Sequence, residues 1–180
     1  PPPSSSTKAT PVDVNKASII ERDAFVGLGS NLDDPAAQIR HAVEHLDDLA
    51  ETHVVAVSSL YRSAPFGPIE QPDFINAVAH LQTRLDATKL LRELLGLELR
   101  QGRVRAERWG PRTIDLDLLV FGDESCDTEM LKLPHPGIAA RNFVLLPLQE
   151  VAPDLVVPGL GRVADMAVDM DEPRISRLDQ

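Results

Sequence analysis

The stretch Thr113-Ile114-Asp115-Leu116-Asp117-Leu118-Leu119-Val120 restricts the fold more than any other part of the chain. Its branched and leucine-rich composition reads as a β-strand. Successive side chains on a strand point to opposite faces. Ile114, Leu116, Leu118 and Val120 therefore face a core, while Asp115 and Asp117 share the other face, with Cα atoms roughly 6.5–7 Å apart. Two carboxylates that close raise each other's pKa unless something positive offsets them. The chain must bring either arginines or a divalent cation to that face.

Composition narrows what that partner serves. Of 180 residues, 26% are charged and the net charge is -10, which argues against a general nucleic-acid binder. Yet residues 100–112 hold five arginines and one glutamate, a positive island in an acidic chain. Such an island suits a small anionic ligand. Guanidinium groups match phosphate oxygens in bidentate fashion, and paired carboxylates with magnesium are suited to phosphoryl chemistry. Surface salt bridges, Arg112 to Asp115 among them, are the competing account. The rigid Trp109-Gly110-Pro111 turn between arginines favours a shaped pocket.

The rest of the chain frames this strand. No run of 18 apolar residues is present, so no membrane helix is expected. The single cysteine, Cys126, excludes an internal disulfide and mildly favours a reducing cytoplasm. His41 and His45, four apart on a helix, lack a third ligand for zinc. Residues 1–22 read as a tail or linker, and 23–180 as one domain. A strand over Ala24–Leu28 is expected to end in a tight turn at Gly29-Ser30-Asn31, which lacks the third glycine and the lysine of nucleotide-binding loops. Asp34 and Pro35 start a helix, and Asp86 caps a second. Residues 53–63 form one strand, and the proline-rich stretch from Ala64 to Asn76 is a surface loop. The order strand, helix, strand, strand, helix, strand is the ferredoxin-like α+β plan: an antiparallel sheet with helices on one face. Residues 143–153 read as a short appended helix. Beyond Gly161 no role is assigned.

The segment RVRAERWGPRTIDLDLL resembles the signature of the 6-hydroxymethyl-7,8-dihydropterin pyrophosphokinase family. VGLGSNL, SSLYRSAPFG and QPDFINAV before it, and LPHP and RNFVLLPLQEVAP after it, also match the family, in the family's order. The resemblance spans about Ala24 to Gly161. It implies transfer of the diphosphate of ATP to the pterin, release of AMP, two magnesium ions, and a monomer whose partners are small molecules. It further implies Asp115 and Asp117 as magnesium ligands, with Arg103 and Arg112 as catalytic arginines on the phosphates and Arg105 on a closing loop. Glu98, Trp109, Leu118, His135 and Arg141 fall on the nucleotide side. Ser63, Ala64, Phe66, Phe74, Asn76, Trp109, Asp115 and Phe143 fall on the pterin side. Two rivals remain open at this point: a ferredoxin-like nucleotide sensor without turnover, and a kinase that moves only the γ-phosphate.

Overall fold

The computed structural model describes residues 20–104 and 108–179. Arg105, expected on the closing loop, lies outside the described residues. The order of elements is β1 (Arg22–Ser30), α1 (Pro35–Asp47), β2 (Thr52–Val57), β3 (Tyr61–Ser63), β4 (Phe74–Thr83), α2 (Ala87–Arg100) and β5 (Asp115–Phe121). A hairpin of β6 (Cys126–Asp127) and β7 (Lys132–Leu133) follows, then α3 (Asn142–Val151), a small pair β8 (Val156–Val157) and β9 (Gly161–Arg162), and β10 (Ile175–Arg177).

Both expected helix starts are present. Asp34 Oδ1 accepts from Ala37 N–H at 3.2 Å, and Pro35 opens α1. Asp86 Oδ1 accepts from Lys89 N–H at 2.8 Å and opens α2. These side chains satisfy backbone donors that the helix itself leaves unpaired. Ile39, Ala42 and Leu46 on α1, with Leu90, Leu94 and Leu97 on α2, bury against one face of the sheet. Each large apolar side chain so buried contributes about 1.5–3 kcal/mol over exposure.

The main sheet is antiparallel in the order β10-β3-β4-β1-β5, with β2 also on β4. This is the ferredoxin-like plan, with the strand beside β4 in two pieces, β2 and β3. The sequence reads residues 53–63 as continuous; the structure breaks them at Ser58. There the Oγ accepts from Val78 N–H at 2.9 Å, taking a ladder donor for itself. The loop expected up to Asn76 is also shorter, because Phe74, Ile75 and Asn76 belong to β4.

Two further differences concern the site. Gly29, Ser30 and Asn31 do not form the expected turn. β1 runs through Ser30, and the left-handed residues come later, at Asp33 and Asp34. The strict alternation expected of β5 also fails after Leu118. Val26 pairs with Leu118 but Phe25 pairs with Val120, so Leu119 is an inserted bulge residue. Leu119 and Val120 both turn to the face covered by α3, and Phe121 returns to the α1–α2 core. Val120 is therefore buried, but on the side opposite to the one expected.

The sheet thus buries apolar side chains on both faces. The second cluster joins Phe25, Val78, Leu119 and Val120 to Ile138, Val144, Leu145 and Leu148. At the far end of α3, Glu150 accepts from Ser59 N–H at 2.9 Å, from Ser59 Oγ at 2.8 Å, and from the Tyr61 hydroxyl. Burial, then the bond to Glu150, pushes Tyr61 up to about 12. The last residues, given no role from sequence, enter the main sheet as β10.

Candidate active site

A cleft of ≈ 680 Å³ opens on the α3 side of the sheet, beyond the end of the second cluster. Its floor follows from strand register. Gly27 lies opposite Asp117 and Gly29 opposite Asp115, while on the other neighbour Gly29 lies opposite Asn76. A Cβ at Gly29 would sit 3.5 Å from Asn76 Oδ1, and one at Gly27 would sit 3.5 Å from Leu119. The two glycines keep the floor bare between the acids of β5 and the amide of β4. Glycine at positions i and i+2 of a strand was the available signal, since such residues share a face.

At the acidic end, Asp115 is held by two arginines. Arg103 Nη2 lies 2.7 Å from its Oδ1, and Arg112 Nη1 lies 3.3 Å from both oxygens. Arg103 is itself fixed by Glu98, which is 3% exposed and also accepts from Leu116 N–H at 2.8 Å. Burial pushes the Glu98 carboxyl up, against the opposing pull of Leu116 N–H and Arg103. Asp117 has no ion-pair partner among the described residues. Burial first, then Asp115 and Glu98, push it up to about 6, with Arg141 and Arg103 opposing.

That unmet charge is the fit test for a divalent cation. No group of three or more His, Cys, Asp or Glu side chains able to hold a metal occurs among the described residues. Two hard carboxylate donors on one face match magnesium, which keeps waters and takes phosphate oxygens for the rest of its shell. Asp115 and Asp117 fit the ion.

His135 and Arg141 line the same cleft. His135 Nδ1 accepts from Gly137 N–H at 2.9 Å, which assigns the ring proton to Nε2. Burial, then Arg141, lowers its pKa, so a neutral ring has one N–H to donate. Arg141 lies close against Gly137, where a Cβ would come within 2.9 Å of its Nε. Leu118 borders the cleft too, with its side chain turned into the α1–α2 core.

The neutral end is built by Ser63, Ala64, Phe66, Phe74, Asn76 and Phe143. Asn76 Nδ2 donates to Ser63 Oγ at 2.9 Å. Phe66 bridges two rings, 6.3 Å from Trp109 and 6.2 Å from Phe143. Trp109 has φ 68, a conformation costly for a bulky residue. It is held by Gln71 Nε2, which donates to its carbonyl at 2.7 Å.

Gln71 belongs to a network that sequence reading missed. Asn31 Nδ2 donates to Gln71 Oε1 at 2.9 Å and to Pro72 O at 3.0 Å, while Asn31 Oδ1 accepts from Arg112 N–H at 2.8 Å. Asn31 thereby ties the end of β1 to both loops over the cleft. The sequence places it in the turn expected at Gly29-Ser30-Asn31. An asparagine directly after an apolar strand was the only local hint.

All the residues to which the resemblance assigns a site role, except Arg105, line this one cleft. Glu129, Leu131 and Lys132 of the β6–β7 hairpin also line it and were not anticipated as site residues. His41 and His45 lie exposed on α1.

Comparison with known proteins gives a consistent result. The model of the 7,8-dihydro-6-hydroxymethylpterin-pyrophosphokinase family matches residues 25–153. A relative from Haemophilus influenzae, a 2-amino-4-hydroxy-6-hydroxymethyldihydropteridine pyrophosphokinase, is 43% identical over 155 residues, covering 86% of this chain and 97% of the relative. One of the same description from Pseudomonas aeruginosa is 53% identical over 134 residues, covering 74% of this chain and 83% of that protein. Among solved structures, Plasmodium falciparum HPPK-DHPS with pteroate superposes with a TM-score of 0.66 at 14% identity, a likeness of fold. It covers 82% of this chain, which spans 44% of that longer one.

Proposed function

The chain belongs to the 7,8-dihydro-6-hydroxymethylpterin-pyrophosphokinase family, and from that premise we propose that its cleft transfers the terminal diphosphate of ATP to the hydroxymethyl group of 6-hydroxymethyl-7,8-dihydropterin, a step of folate biosynthesis. In this reaction the hydroxymethyl oxygen bonds to the β-phosphorus of ATP. The bond from that phosphorus to the α,β-bridging oxygen breaks, AMP leaves, and the hydroxyl proton is released. The observation that carries the reading is the shared floor: Asp115 and Asn76 flank Gly29 on neighbouring strands, so acid and amide face one space.

The residues divide the work. Asp115 and Asp117 would hold two magnesium ions, which supply charge neutralisation for the diphosphate. Arg103 and Arg112 carry the charge that builds on the transferring group, and Glu98 keeps Arg103 in place. Arg141, His135 Nε2–H, Trp109 and Leu118 receive the nucleotide. Phe74 and Phe143 line a slot suited to a flat ring, Phe66 and Trp109 cover it, and Asn76 Oδ1 is left to accept from the pterin. Ser63 and Ala64 form the edge of that slot. Holding both substrates on one floor converts a bimolecular encounter into an oriented one.

We also infer a monomer acting in the cytoplasm on small molecules. No described helix is long and apolar enough to cross a membrane.

The test is product analysis. The protein is mixed with ATP, magnesium and 6-hydroxymethyl-7,8-dihydropterin. AMP that appears only with the pterin supports the proposal. ADP in its place would make the chain a γ-phosphate kinase, and ATP binding without either product would make it a sensor.

A further inference from the structure

Arg141 is the N-cap of α3 and Phe143 lies in its first turn, yet that turn is weakly held from within. Arg141 caps no backbone N–H with its side chain, and Pro147 stands inside the helix. Proline has no N–H, so the carbonyl of Phe143, four residues earlier, lacks its helical partner. The turn must be fixed from outside.

Asn142 does this. It is 4% exposed, and its Nδ2 donates to the carbonyls of Asp169 and Pro173, each at 2.6 Å. Its Oδ1 has no partner among the described residues. A buried acceptor left unpaired costs stability, so the two donated bonds are what the side chain contributes.

Both carbonyls belong to one turn. Asp171 N–H donates to Asp169 Oδ1 at 2.9 Å, and Ile175 N–H to Met170 O at 3.2 Å. The chain then enters β10, where Ile175 lies opposite Ser63. Ala64 N–H donates to Arg174 O at 3.0 Å, and Leu178 N–H to Leu60 O at 2.9 Å. One short segment therefore joins the residue beside Phe143 to the Ser63–Ala64 edge.

We propose that residues 169–178 form a strap setting the spacing between Phe143 and the Ser63–Ala64 edge, with Asn142 as the positioning residue through which it governs pterin binding. This rests on the pterin pyrophosphokinase reading above. Arg141 is anchored separately, its N–H donating to Gly137 O at 3.1 Å. The strap's effect therefore falls on the pterin and spares the nucleotide.

Asn142→Ala removes both donated bonds and the unpaired oxygen with them, so the fold is expected to hold. The pterin Kd, measured by pterin fluorescence, rises about tenfold, while the KM for ATP stays within about twofold. Asp169→Ala removes only an exposed bond within the turn. It gives a smaller rise in the same direction, about two- to threefold, and serves as the test if Asn142→Ala does not fold. An unchanged pterin Kd in the folded variants, or equal losses for ATP and pterin, overturns the strap. A wild-type protein that releases no pterin-dependent AMP overturns the underlying reading instead.

Discussion

At one end of the cleft Asp115 is gripped by two guanidinium groups, while Asp117, two residues on, is gripped by none among the described residues. At the other end Asn76 spends its donor on Ser63 and Tyr61 and keeps only an acceptor in reserve. The charged end thus carries an imbalance that a ligand must relieve. The neutral end has settled its own polar groups and offers shape. The contrast suggests that the first end governs turnover and the second governs which ring is accepted.

The most forceful way to break that division is Asp117→Ala. AMP release should fall by about a thousandfold or more, with pterin Kd within about threefold in a fluorescence titration. A collapse of pterin affinity would mean that the two ends are not separable. Asn76→Ala should do the reverse, raising pterin Kd by about ten- to a hundredfold and leaving ATP affinity unchanged by calorimetry. The smallest effect sharpens the imbalance itself. Asp117 has a folded-state pKa of about 6 against an ordinary 3.8. A raised carboxyl pKa contributes stability that is full below the ordinary value and lost as pH rises through the folded one. In magnesium-free buffer, Asp117→Asn should therefore match the wild type at pH 4 and exceed it by ~1–2 kcal/mol at pH 7.5 in urea unfolding. Equal stability at both pH values would show that the charge is already met.

The two ends also differ in how openly the sequence displays them. Asp115 and Asp117 are legible because period-two alternation needs only the strand they lie on, and the arginine island stands out by composition. The helix starts at Asp34 and Asp86 are local in the same way. The neutral end depends on pairings across long sequence distances. That β10 lies on β3, more than a hundred residues earlier, is written in no short pattern. Nor is the partnership of Asn31 with Gln71 and Arg112. Gly29 reads as a turn residue because glycine ordinarily signals a turn; here the missing side chains of Gly27 and Gly29, not their backbone freedom, are what the site uses.

The extra residue at Leu119 has a structural consequence for the acids. Because β5 changes sides there, positions up to Leu118 keep their orientation by reference to Gly27 and Gly29, and positions beyond it by reference to α3. Substitutions in the distal half that reshape the packing under α3 can be taken up locally, without rotating either carboxylate out of the cleft. Deleting Leu119 would fuse the two segments into one register and make each answer to the other.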